Sequence, residues 1–248
     1  MAETLVKYES ADGVAVITID RPAKRNALSV ELCRQLYEAW QRFDTSDSDH
    51  VAILTATGDE VFTAGADLKD PPAKFWQAVP GVGVPLDKPV IAAVAGLVIG
   101  GGVAMTVTCD LCVAADNTKF VYPEAKVGIA AGMITAITGR IPHKVGVELM
   151  MLGEPLTAER AYQVGFVNRV VPVGQQLAVA RQMAQTLAAG APLVLRMFKR
   201  MVNETLPRSP VETMYAAQRS IERIMQSEDA KEGLLAFREK RRPRFKGR

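Results

Sequence analysis

Three short apolar runs, VAVITI (14–19), VAILTA (51–56) and PVIAAVAG (89–96), constrain this chain most. They are rich in β-branched and small residues, lack polar alternation and are bounded by turn-forming residues, which is the pattern of strands covered on both faces. Such strands need helices to cover them. Between the first two runs, Ser29 is a good cap for a helix in which Leu32, Leu36, Tyr37, Trp40 and Phe43 recur at helical spacing. Gly100, Gly101 and Gly102 precede VAMTVT, which reads as a buried helix, and LCVAA (111–115) returns to strand composition. KFVYPEAKVGI (119–129) reads as extended chain broken at Pro123, a short helix opens at Thr157, and FVNRVVP (166–172) reads as the last strand. Helical segments over 174–189, 193–204, 210–226 and 229–241 follow. The fold class is therefore α/β, with a core over 1–190 and a helical region over 191–248.

With 248 residues and 48% hydrophobic composition, the chain can bury a large core without disulfides or a structural metal. Three cysteines suit a reducing compartment, and Cys109 and Cys112, with no second pair and both histidines remote, read as small buried residues. No metal site is expected. The N-terminus carries no basic stretch leading into an apolar run, and the longest apolar stretch is broken by glycine, so a cytoplasmic protein with no membrane association is expected. The net charge is +3, but the last eleven residues, REKRRPRFKGR, hold seven basic side chains against one glutamate. The rest of the chain is thus net acidic, which argues against a nucleic-acid face and leaves the tail to an anionic cofactor, a neighbouring subunit or solvent.

Two glycine-bearing segments, FTAGADLK (62–69) and VAGLVIGGGVAM (94–105), each follow a strand run. Neither has the spacing of a dinucleotide loop or a P-loop. Either can be a plain turn, but together they can bring backbone N–H groups to one ligand oxygen, most readily where a helix begins.

At these residues the chain resembles the crotonase, or enoyl-CoA hydratase/isomerase, superfamily. The matching stretches keep the family's order: DRPAKRNAL (20–28), FTAGADLK (62–69), KPVIAAVAGLVIGGG (88–102), CDLCVAADNTKF (109–120), PEAKVG (123–128), LTAERAYQVGFVNRVVP (156–172) and the C-terminal LLAFREKRRPRFKGR. The resemblance implies a spiral core of strand-strand-helix units and a C-terminal helical oligomerisation region, assembled as a homotrimer or a dimer of trimers. It implies an acyl-CoA substrate, with coenzyme A as part of the thioester and no tightly bound cofactor. Ala66 and Gly101 match the residues whose N–H groups hold the thioester oxygen. Lys24, Arg25, Ala27, Leu28, Ala64, Asp67 and Leu68 fall where the family cradles coenzyme A, and Phe237 and Lys240 match positions that reach the cofactor of the same or a neighbouring subunit.

The family's hydratases use two glutamates, because adding water across a double bond needs a base for water and an acid for carbon. Here Ala104 stands at the first position and Glu124 at the second. A lone carboxylate beside an oxyanion hole suits a Δ3,Δ2-enoyl-CoA isomerase, in which Glu124 carries a proton from C2 to C4. A hydratase or racemase-like member with a substitute second acid stays open, as do other acyl-CoA chemistries and a non-catalytic coenzyme A or RNA scaffold. The chain departs from the family in two places. The segment between GADLK and DKPV is short, with Phe75 and Trp76 as its aromatic pair, and IAAGMIT (129–135) replaces a glycine-rich turn.

Overall fold

In the computed structural model, which describes residues 3–129 and 132–248, the apolar runs pair into a six-stranded sheet. Its strands are β1 (Val6–Ala11), β2 (Val14–Ile19), β3 (Val51–Ala56), β5 (Val90–Val94), β7 (Leu111–Ala115) and β10 (Arg169–Val171), in that spatial order. Only β1 runs antiparallel to its neighbour, joined through a tight turn at Asp12 and Gly13; the parallel register places Ile53 beside Ile91 and Ala92 beside Cys112. A second sheet has the order β4 (Val61–Thr63), β6 (Leu97–Ile99), β8 (Lys119–Val121) and β9 (Leu156–Thr157), with the first three parallel.

The two sheets explain the spiral. After β3, β5 and β7 in the first sheet, the chain crosses each time to the next strand of the second sheet. It then enters a helical segment: the single turn 75–78, α2 (Gly101–Thr108) or α3 (Glu124–Val127). Three successive strand-strand-helix units therefore step along both sheets together, which is the architecture that the family resemblance implies.

One face of the first sheet is covered by α6 (Gln176–Ala188), whose Ala180 and Ala184 are fully buried against Val16, Ile53, Ile91 and Val113. Small side chains let this helix approach the sheet closely. Helix α1 (Val30–Thr45) buries Leu32, Leu36, Trp40 and Phe43, and the Ser29 hydroxyl accepts the Leu32 N–H at its start. Helix α4 (His143–Leu152) packs on the 3₁₀ segment 133–139, and α5 (Ala158–Gln163) follows β9. Ala130 and Ala131, within the IAAGMIT segment, lie outside the described residues.

The chain forms two compact units, the first ending at Ser209 and the second starting at Pro210. Helix α7 (Pro192–Thr205), beyond the residue-190 boundary read from sequence, is tied into the first unit by Lys199, which donates to Lys88 O (2.7 Å) and to Asp110 (2.8 Å). The second unit holds α8 (Pro210–Met225) and α9 (Glu228–Arg238), and there the basic tail folds back on acidic side chains. Arg241 pairs with Glu232 and Glu239, while Lys246 and Arg248 both reach Glu228.

Candidate active site

The site forms where β4, β6 and β8 end. Neighbouring parallel strands lie about 4.8 Å apart, so residues just past the carboxyl ends of three adjacent strands gather within about 10 Å. Ala66 follows β4, Gly101 follows β6 and Glu124 follows β8.

Ala66 is held in an isolated bridge beside Leu28, in which Leu28 N donates to Gly65 O (2.8 Å) and Asp67 N to Leu28 O (2.9 Å). This pattern uses the amides on either side and leaves the N–H of Ala66 itself, an exposed residue, with no partner among the described residues. Gly101 is the first residue of α2, so its N–H also has no intrahelical acceptor. Gly100 caps that helix with φ 55° and ψ −110°, a conformation open to glycine, and its N–H is spent on Val121 O (2.9 Å). The backbones of the two loops touch: a Cβ on Gly65 would stand 3.3 Å from Ile99 O, and one on Gly100 4.0 Å from Gly65 Cα.

Glu124 joins them from the third strand. Its Oε1 lies 2.9 Å from where a Gly100 Cβ would be, and its Oε2 is buried with no hydrogen-bond partner among the described residues. Burial pushes the Glu124 carboxyl up to about 7, opposed only by a hydrogen bond from its own backbone. Ala104, one turn into α2, is 3% exposed and offers no proton-bearing group.

Two nearby carboxylates, Asp67 and Asp110, are already committed. Asp67 pairs with Arg21 (2.7 Å), which holds it below the usual carboxylate range, and Asp110 accepts from Val90 N (2.7 Å) and Lys199 (2.8 Å). Asp67 thus braces the 64–68 loop against the 21–28 loop. Burial raises the Cys112 thiol to about 12 and drives Cys109 well above the ordinary thiol range, leaving both as inert packing groups.

The other expected site residues divide by place. Lys24 and Arg25 are exposed on the turn at 22–25, Leu68 is exposed beyond Ala66, Ala27 and Ala64 are half-buried, and Leu28 is fully buried. Ala64 N donates to Arg25 O (3.0 Å), which ties the two loops together. Phe237, exposed near the end of α9, and Lys240, in a left-handed turn, belong to the second unit.

Sequence reasoning missed Asn26 and Thr63. Asn26 is 1% exposed; its amide donates to Thr57 O and Val61 O and accepts the Arg21 N–H, while the Thr63 hydroxyl donates to Asn26 O (2.7 Å). The signal was present, since Asn26 sits inside DRPAKRNAL among residues chosen for their charge or backbone. Its left-handed φ of 54° also suits asparagine.

Residues 9–248 match the family Enoyl-CoA hydratase/isomerase. The chain belongs to that family. It is 39% identical to the carnitinyl-CoA dehydratase of Escherichia coli strain K12 over 251 residues, covering 94% of each chain. Among solved structures, a carnitinyl-CoA hydratase from Mycobacterium avium superposes with a TM-score of 0.76 at 33% identity, with 100% of both chains covered. An enoyl-CoA hydratase from Mycobacterium tuberculosis H37Rv gives 0.75 at 37%, over 99% of this chain and 100% of that one. As a member of the enoyl-CoA hydratase/isomerase family, the protein is an acyl-CoA enzyme with a crotonase fold.

Proposed function

We propose that this enzyme is a Δ3,Δ2-enoyl-CoA isomerase that moves one proton with a single glutamate. The observation that carries the reading is Glu124, poised beside Gly100 with an unpartnered buried oxygen, while buried Ala104 fills the other acid position. The Ala66 and Gly101 amides hold the thioester oxygen, helped by the positive end of α2. Glu124 takes the C2 proton of a 3-enoyl-CoA, and the electrons of the broken C–H bond pass to that oxygen as a dienolate. The same carboxyl then returns the proton to C4, shifting the double bond from C3–C4 to C2–C3. A carboxyl near 7 serves both halves, being base enough to take the proton and acid enough to release it.

Lys24, Arg25, Ala27, Leu28, Ala64 and Leu68 form the coenzyme A cradle, with Asp67 bracing it, and Phe237 and Lys240 contact the coenzyme A of the same or a neighbouring subunit. Three of the tail's basic residues, Arg241, Lys246 and Arg248, already have acidic neighbours on α9, and no nucleic-acid partner is invoked. The exposed apolar stripe Leu193, Val194, Met197, Phe198, Met201 and Val202 on α7 is the surface that other copies cover in a homotrimer or dimer of trimers. The three free thiols fit the cytoplasm.

Hydration is the second reading, favoured by the names of the relatives. It requires an acid to replace the residue missing at Ala104, and Asp67 and Asp110 are engaged elsewhere. The reading is tested by deuterium entry at C2 and C4 of the enoyl-CoA in heavy water. Glu124→Gln should lower exchange by about 10²- to 10⁴-fold, and undiminished exchange would remove Glu124 as the base.

A further inference from the structure

The aromatic residue packed on Gly101 comes from the short segment that departs from the family. A Cβ placed on Gly101 would stand 2.8 Å from Phe75 Cζ and 2.9 Å from both Phe75 Cε2 and Leu28 Cδ1. The Phe75 ring and the Leu28 side chain therefore press on the first residue of α2, and Leu28 is the bridge partner of Ala66. Leu28 is fully buried, whereas Phe75 is half-buried.

Phe75 is firmly mounted. It starts the 3₁₀ turn 75–78, with its N–H on Pro72 O (3.0 Å), and the next residue, Trp76, is buried. At the end of that turn, Ala78 O accepts the Trp40 indole N–H (2.8 Å) from α1. Between them, the backbone of Gln77 runs so close to Gly83 that a Cβ there would fall 2.0 Å from Gln77 O. A turn braced on three sides holds its aromatic ring as a fixed wall.

We propose that Phe75 is the specificity-determining residue of this enzyme, walling the acyl subsite beside the two amides and restricting the thioester to a short acyl group. The inference rests on the reading that Ala66 and Gly101 hold the thioester oxygen, since the chain beyond the carbonyl must then pass the ring. Sequence alone weighed Phe75 and Trp76 as a pair. The structure divides them, with Trp76 anchoring the turn and Phe75 facing Gly101.

The test is calorimetric binding of acetyl-, butyryl-, hexanoyl- and octanoyl-CoA to the wild type, Phe75→Ala and Phe75→Leu, with thermal melting to verify folding. In the wild type, affinity should stop rising within the shorter members. In Phe75→Ala, each further methylene should tighten binding roughly fourfold until the vacated space is full, with Phe75→Leu between. Parallel length profiles in all three proteins would overturn the role of Phe75. Failure of every thioester to bind the wild type would overturn the placement of the acyl group, and the wall with it. The deuterium exchange of Glu124→Gln is a separate readout, so loss of the base assignment and loss of the wall are told apart.

Discussion

At the scale of single residues, the site sets its glutamate apart from the arginine-paired carboxyls of the first unit. Glu124 is raised to about 7 by burial, while Asp67, Glu31 and Glu148 are lowered by neighbouring arginines. Because Glu124 must be ionised to take a proton, kcat/KM should fall about tenfold per pH unit below about 7 and level off above it. A steady-state profile from pH 5 to 9 measures this, and a flat profile across pH 7 would contradict it. The same shift acts on stability in a definite direction. Between about 4.5 and about 7 the unfolded state is ionised at this position and the folded state is not, so stability declines as pH rises through that window and is constant beyond it. Glu124→Gln lacks this dependence, so its melting temperature should gain on the wild type from pH 4.5 to 7.5.

At the scale of elements, the joint between the 21–28 loop and β4 carries the site as much as the strands do. Asn26 is its pin, and Asn26→Ala should cost about 2 to 3 kcal/mol in chemical denaturation through lost and orphaned hydrogen bonds. It should also lower kcat by loosening Ala66, whereas an unchanged kcat would show that the loop is held without it. This joint also marks where the sequence was legible. The six-residue strands β2 and β3 and the capped helix α1 were plain, because the strands are unbroken apolar runs between clear turn signals and the helix is long enough to show its period. The strands β4 and β6 were not read, since three residues carry no period, and Leu97–Ile99 was absorbed into the glycine run. Glu124 was placed in extended chain, yet it opens the single helical turn α3 after Pro123. Helix α4 was missed because its N-cap, Pro142, has no side-chain acceptor to mark the start. Ala66, Gly101 and Glu124 were found through the resemblance; their meeting follows from β4, β6 and β8 being neighbours, which only the sheet order reveals.

At the scale of the whole molecule, the exposed apolar stripe of α7 is the proposed subunit contact, and the active site does not leave the first unit to find its base. Met197→Lys combined with Met201→Lys should convert the proposed homo-oligomer to smaller species in sedimentation velocity, and an unchanged sedimentation coefficient would place the proposed subunit contact elsewhere. The central claim is that a chain from a family with hydratase-named members has become a proton shuttle by keeping one glutamate and replacing the other with Ala104. It is tested most directly by offering the purified protein a 3-enoyl-CoA and, separately, a 2-enoyl-CoA, and following products by mass. The account predicts conversion of the 3-enoyl thioester to its 2-enoyl isomer at unchanged mass, with little water added to the 2-enoyl thioester. Rapid gain of one water by the 2-enoyl thioester, without isomerisation of the other, would contradict it.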